Sequence, residues 1–234
     1  MARTPYEPSM ARIAALVADP SRSRMLAYLL GGEYASAGEL AKAAAVGAAT
    51  ASGHLTKLLD AGLLACEPRG RHRYYRLADG EVAHALQALA VVAERGTHAA
   101  IWAHPARARL RHARCCYGHL AGELGVAMLN GLLARQWLQS QRDGYVLTDA
   151  GVQGLRKMGL ERAPWQADGA RGLAYGCLDW SERRDHLAGR LARELLRHFL
   201  AQGWLRRLPS ERALALTPTG HQALPGWFAP HALP

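Results

Sequence analysis

The sequence predicts a mainly α-helical protein with small β-hairpins, an α+β fold built in two domains. Three observations carry that expectation. Apolar residues recur at helical spacing through most of the first hundred positions, a short cationic hairpin interrupts them, and a helix-and-hairpin pattern occurs twice in the remainder. Of 234 residues, 50% are hydrophobic and 21% charged, which excludes a disordered chain. No apolar run approaches the roughly 18 residues that cross a bilayer. Met1-Ala-Arg-Thr-Pro-Tyr-Glu-Pro lacks the apolar segment of a secretion signal, so a cytoplasmic location is expected. Cys66, Cys115, Cys116 and Cys177 are too few and too scattered for a disulfide scaffold and read as reduced thiols.

From Pro8 to about Leu30 the spacing predicts two helices, with Ile13, Leu16 and Val17 on one and Met25, Leu26, Leu29 and Leu30 on the other. Asp19 caps the second, and Pro20 takes the first helical position, where its missing N–H costs nothing. Gly31-Gly32 ends it. Ser36 and Glu39 form a capping box that opens a third helix, running to about Ala45. A turn over Val46-Gly47-Ala48-Ala49 leads into a fourth, with Leu55, Leu58 and Leu59 as its buried stripe and Gly62 at its C-terminus. Its other face carries Thr50, Ser52, His54 and Lys57. Leu63-Leu-Ala-Cys-Glu and Arg73-Tyr-Tyr-Arg-Leu then read as strands flanking a cationic tip, Pro68-Arg69-Gly70-Arg71-His72.

A net charge of +10, nearly all from arginine, calls for a polyanionic partner, either nucleic acid or an acidic membrane surface. The elements choose nucleic acid. Two helices joined by a tight turn, the second with a donor-rich outer face, can place Thr50, Ser52, His54 and Lys57 against base edges in a major groove. The hairpin beside them would lay Arg69, Arg71, His72 and Arg73 along phosphates. A winged helix used only for protein contact would not need those arginines.

At this point the sequence resembles the winged helix-turn-helix repressors of the ArsR/SmtB family, over roughly Ser9 to Arg95. The match rests on Asp19-Pro20-Ser21-Arg22, on the run from Thr50 to Leu64, and on Arg69-Gly-Arg-His-Arg-Tyr-Tyr-Arg-Leu. The resemblance implies a homodimer paired through the first helix and the post-wing helix, bound to a two-fold operator in double-stranded DNA. The post-wing helix would span about 80–100, with Val82, Leu86, Leu89 and Val92 as its apolar stripe. Neither of the family's usual metal sites carries over. The helix before the turn has no cysteine, and Glu81, His84, Glu94 and His98 do not reproduce the paired-ligand spacing.

Domains are therefore expected at 1–100 and 101–234. In the second, His119-Leu-Ala-Gly recurs as His186-Leu-Ala-Gly, Trp137-Leu138 as Trp204-Leu205, and Leu147-Thr-Asp-Ala-Gly as Leu216-Thr-Pro-Thr-Gly. This predicts an internal duplication, 112–160 and 175–228, each repeat winged-helix-like with a long helix, a strand pair and a short helix capped by Thr148 or Thr217. The tail lacks a second basic wing, so dimer support and effector binding are its expected tasks. His112, Cys115, Cys116 and His119 lie at mutual spacings of three and four, so several share one face if they lie on a helix. Symmetric packing of the repeats would bring Cys116, His119, Cys177 and His186 into a two-thiolate, two-imidazole set suited to zinc or another soft divalent ion.

The same residues have plainer readings. Cysteine is often buried core, His-Leu-Ala-Gly can be a packing motif, and Cys115-Cys116, its thiol pKa lowered by Arg111 and Arg114, can be a redox trigger. A small-molecule pocket lined by Tyr117 and Trp180 is a further alternative. The remaining tryptophans, Trp102, Trp137, Trp165, Trp204 and Trp227, read as packing. A Cys/His enzyme is disfavoured, since no phosphate loop, nucleotide fingerprint or nucleophile elbow occurs. The expectation is a cytoplasmic homodimeric repressor, not an enzyme, with no membrane partner and an effector of unknown chemistry.

Overall fold

A computed structural model describes residues 10–32, 34–69, 72–95, 104–160, 172–209 and 211–224. Gly70, Arg71, Trp102, Trp165 and Trp227, on which some expectations fall, lie outside the described residues. The chain divides into two compact units, Met1–Ala83 and His84–Pro234. Among the described residues no helix is long and apolar enough to cross a membrane.

The first unit holds α1 (Met10–Val17), α2 (Pro20–Leu29), β1 (Ala35–Ser36), α3 (Ala37–Ala44), α4 (Ala48–Asp60), β2 (Leu64–Arg69) and β3 (His72–Leu77). Asp19 caps α2 by accepting the Ser21 and Arg22 amides at 3.0 and 2.9 Å, with Pro20 behind it. Ser36 and Glu39 form the capping box of α3. The end of α1, whose last carbonyls lack helical partners, is closed by α2. Arg22 donates through Nε to Leu16 O (2.8 Å) and through Nη2 to Ala15 O (3.0 Å), and Ser23 Oγ donates to Val17 O. Met25, Leu26, Leu29, Leu40, Leu55 and Leu58 make the core. β2 and β3 pair antiparallel from Leu64↔Leu77 to Arg69↔His72, so the strands run further toward the tip than composition suggests. β1 adds a third strand to β3 that is too short to leave a sequence pattern.

α5 (Gly80–Ala93) begins in the first unit and continues into the second. Its buried positions are Ala83, Gln87 and Val91. Of the expected stripe, Leu89 and Val92 are about half exposed. α6 (Pro105–His112) follows.

In the rest of the second unit one order of elements occurs twice. The first run is β4 (Arg114–Cys116), β5 (His119–Ala121), α7 (Glu123–Ala134), β6 (Leu138–Gln141), β7 (Gly144–Leu147) and α8 (Asp149–Lys157). The second is β8 (Tyr175–Leu178), β9 (Asp185–Ala188), α9 (Arg190–Ala201), β10 (Leu205–Arg207), β11 (Leu214–Leu216) and α10 (Pro218–Ala223). The runs interlock. α7 packs on β9 and α9 on β5, while Cys115 N donates to Arg212 O beside β11 and Tyr145 N of β7 donates to Ala174 O beside β8. Their shared core joins Leu124, Met128, Leu132, Leu191, Leu195 and Phe199.

Each long helix starts at a glycine no other residue can replace without strain. Gly122 (φ +84°) and Gly189 (φ +97°) lie where L side chains are rarely found. At Gly189 a Cβ would stand 2.5 Å from Leu173 O, because the first turn of α9 docks on the carbonyls of Gly172 and Leu173. Gly189→Ala is expected to lower the unfolding free energy of the second unit by about 2 kcal/mol, and more than Gly203→Ala, which has open space around it. Ser36→Ala, which removes the α3 cap, is expected to cost about 1 kcal/mol. Denaturant midpoints at constant m-value measure both.

Candidate DNA-reading surface and buried Cys/His cluster

α4 presents Thr50, Ser52, Gly53, Thr56 and Lys57 to solvent, and buries Ala51, Leu55 and Leu58. Thr56 was not among the expected contacts, although it lies one turn beyond Ser52, whose carbonyl its hydroxyl holds at 3.0 Å. His54 is half-buried, and its Nδ1 accepts from Arg22 Nη1 at 3.3 Å, so this side chain is tied to α2. Gly53 has no protein atom near the place of a missing Cβ and no positive φ. Nothing among the described residues of the unit calls for glycine there.

In the wing, Arg69, His72 and Arg73 are exposed. Arg69 stacks over Tyr34, 4.3 Å from the ring centre, and pairs with Glu67 at 3.4 Å. Arg76 reaches the same carboxylate at 3.4 Å, and Tyr34 donates to it at 2.6 Å. These donors, Tyr34 first, hold the Glu67 carboxyl below its usual range. Arg73 Nε donates to Cys66 Sγ at 3.4 Å.

In the second unit the donor atoms of Cys116, His119, Cys177 and His186 all lie within 4.8 Å of one another, and all four residues are buried. The quartet anticipated from the repeat offset therefore comes together, but not on the helix its spacing suggested. Cys116 and His119 face each other across the β4–β5 hairpin, and Cys177 and His186 across β8–β9. The three-residue interval arises from a two-residue turn, Tyr117-Gly118, both with positive φ (+47° and +88°), as a tight hairpin requires. His112 ends α6 and contacts Glu123, away from the quartet.

Alternation along β4 sends Cys115 into the main core and Cys116 into the cluster. A vicinal Cys115-Cys116 trigger is thus not what the strand presents, and burial pushes the Cys115 thiol up to about 11. Nor do Arg111 and Arg114 activate Cys116. Arg111 pairs with Glu182 and Glu123, and Arg114 with Asp179. The hydrogen bond to Cys177 together with burial raises the Cys116 thiol and, by the same bond, Cys177 is lowered.

Asp179 organises the surroundings. Its Oδ1 accepts from Arg114 Nη2 (2.6 Å), the Ser181 amide (3.0 Å) and the Ser181 hydroxyl (2.7 Å), and its Oδ2 from the Gly122 amide (2.7 Å). Oδ2 also lies 3.2 Å from His186 Nδ1. Burial opposes its ionisation, but His186 and Arg114 outweigh that and hold the carboxyl far below the usual range. Conversely, burial pulls His186 down and Asp179 lifts it above its ordinary value. Burial and the neighbouring His186 charge keep His119 low, and among the described residues its Nδ1 has no hydrogen-bond partner. The two rings stand 5.1 Å apart. Two thiols and two imidazoles in this arrangement could bind a metal ion.

A cavity of about 310 Å³ adjoins the cluster, lined by His84, Gln87, Val91, Tyr175, Cys177 and Leu178 among others. Neither Tyr117 nor Trp180 borders it. Tyr117 sits in the hairpin turn, and the Trp180 ring is covered by the Arg114 and Arg107 guanidinium groups at 4.2 and 5.3 Å.

A family model described as a helix-turn-helix domain matches residues 17–67. The HTH-type transcriptional regulator YdfF of Bacillus subtilis, itself uncharacterized, is 39% identical over 213 residues, 91% of this chain and 94% of its own length. The HTH-type transcriptional regulator CmtR of Mycobacterium tuberculosis is 37% identical over 86 residues, 37% of this chain and 72% of CmtR. Among solved structures, the homodimeric winged helix-turn-helix domain of Mb0332 from Mycobacterium bovis, a possible ArsR-family regulator, is 30% identical. It aligns with 38% of this chain and 84% of its own, at a TM-score of 0.34. With a helix-turn-helix and basic hairpin in the first unit and a full-length relative of that type, the chain belongs to the helix-turn-helix transcriptional regulators.

Proposed function

We propose that the protein is a cytoplasmic, homodimeric repressor that reads a two-fold operator and releases or holds it according to an effector bound in the second unit. The observation that carries this reading is the exposed donor face of α4 in the same compact unit as the cationic β2–β3 hairpin. Thr50, Ser52, Thr56 and Lys57 would face base edges and the adjoining phosphates. Arg69, Arg71, His72 and Arg73 would follow the backbone. His54, held by Arg22, would fix the approach of the helix as well as touch DNA.

Dimerisation is supported by two apolar surfaces that a single chain leaves uncovered. α1 buries none of its residues and exposes Met10, while α5 exposes Leu89 and Val92. A second copy covering the corresponding helices would remove these from water, as the family resemblance implies. The open space at Gly53 supports close approach of another backbone, and a DNA strand is the partner the surrounding charges fit.

Binding to a selected operator, measured against salt concentration, tests the reading. Arg73→Ala and Arg69→Ala are each expected to weaken binding to all duplexes and lower the log–log salt slope by about one unit. Ser52→Ala is expected to change sequence preference, by about 1–3 kcal/mol at one base pair, with the slope preserved. An unchanged slope in both arginine variants would overturn the wing's role. Gly53→Ala is expected to stabilise the first unit by up to about 1 kcal/mol, as alanine does in an exposed helix, while weakening operator binding. Thermal melts and mobility shifts read the two effects separately.

A further inference from the structure

We propose that Cys116, His119, Cys177 and His186 form a tetrahedral site for a zinc-class divalent ion, zinc or cadmium, bound by two thiolates and one ring nitrogen from each histidine. The proposal names the ligand of the second unit and rests on the reading of that unit as the sensing part. The geometry is close to what such an ion requires. Metal–sulfur bonds of roughly 2.3 Å and metal–nitrogen bonds of roughly 2.0 Å span a tetrahedron with edges of roughly 3.3–3.8 Å. Donors already within 4.8 Å of one another reach it with small side-chain movements.

Four further features separate this set from ordinary core packing. His119 is 2% exposed, yet among the described residues its Nδ1 meets no hydrogen-bond partner, which is rare for a buried polar group. His186 has a carboxylate from outside the quartet beside it, Asp179 Oδ2 at 3.2 Å from Nδ1, the kind of neighbour that commonly orients metal-bound imidazoles. Asp179 is committed to Arg114, Gly122 and Ser181 as well, so it supports the site without being a ligand. Finally, Cys177, the most exposed of the four at 9%, borders the cavity of about 310 Å³, which provides a route in.

Charge selects the ion. Among the described residues Asp179 is the one buried carboxylate and Arg114 already pairs it, so a divalent cation and two thiolates sum to zero, and two neutral imidazoles add nothing. Thiolate and imidazole donors favour zinc and cadmium over magnesium or calcium, which want oxygen. Binding replaces two S–H bonds by two metal–sulfur bonds and releases their two protons to solvent, together with any proton carried by a ligating ring nitrogen, with no change of oxidation state. The Tyr175 hydroxyl, two residues from Cys177 on the same strand, lies 3.3 Å from His84 Nε2 on α5. A shift of β8 on metal loading would thus be felt by that helix.

The test uses the full chain, reduced and metal-stripped, titrated with cobalt(II) as a spectroscopic probe and then with zinc(II) or cadmium(II). Wild type is expected to take one cobalt per chain, with intense tetrahedral d–d bands and thiolate-to-metal charge transfer that zinc abolishes. His119→Ala and Cys177→Ser should weaken uptake at least tenfold, and Cys115→Ala, facing the core, should retain it. Folded, reduced wild-type protein without charge transfer overturns the site. So do bands that persist in a Cys116→Ser, Cys177→Ser double variant, or a Cys116–Cys177 disulfide whose reduction restores no uptake. Mobility shifts with metal-free and loaded protein keep the two readings apart. Metal uptake with unchanged operator affinity upholds the site and removes the effector role, whereas absent uptake with intact operator binding removes the site alone.

Discussion

The second unit depends on one buried carboxylate. Asp179 draws together the guanidinium of Arg114 on β4, the amide that opens α7, the turn that follows β8 and the imidazole of His186 on β9. None of these polar groups is stable in an apolar interior alone. Arg114 is fully buried, and removing its carboxylate would leave an unpaired charge costing about 3–5 kcal/mol. The network therefore does not act as a general adhesive. It penalises every arrangement except the one that places both hairpins side by side, and that arrangement sets Cys116 against Cys177 and His119 against His186.

The first unit uses a smaller version of the same device. Arg22, held by Asp19 at the head of α2, closes the carbonyls at the end of α1 and reaches His54 on α4. The aim of α4 is thus fixed by a side chain three elements' distance away in sequence, while among the described residues the face it shows stays free of intramolecular partners apart from the Thr56 hydroxyl. Rigidity behind the helix and openness in front of it are what a reading surface needs.

Much of this was legible in the residues themselves. Asp19-Pro20, Ser36 with Glu39, and Thr148 and Thr217 with their glycines three residues on announce helix starts by local chemistry, and local chemistry survives folding. The Cys/His quartet was visible through the recurrence of His-Leu-Ala-Gly, although helical spacing misassigned its local structure. A turn at Tyr117-Gly118 is hard to read because a tyrosine at positive φ carries no signature of its own. Asp179 and Arg114 were not legible as a pair, since their link is purely tertiary. The apolar stripe of α5 was read correctly as apolar, but Leu89 and Val92 lie on the uncovered side while Gln87 is buried. A single chain's pattern does not say which face the chain itself will cover.

The separation of the two hairpins along the chain has a temporal consequence. Cys116 and His119 leave the ribosome well before Cys177 and His186, and each hairpin alone offers only one sulfur and one nitrogen. A bidentate fragment holds ions weakly and exchanges them freely. The full set of donors exists only once synthesis has passed position 186 and the two runs have interlocked, so the proposed ion site cannot be filled in a half-made state.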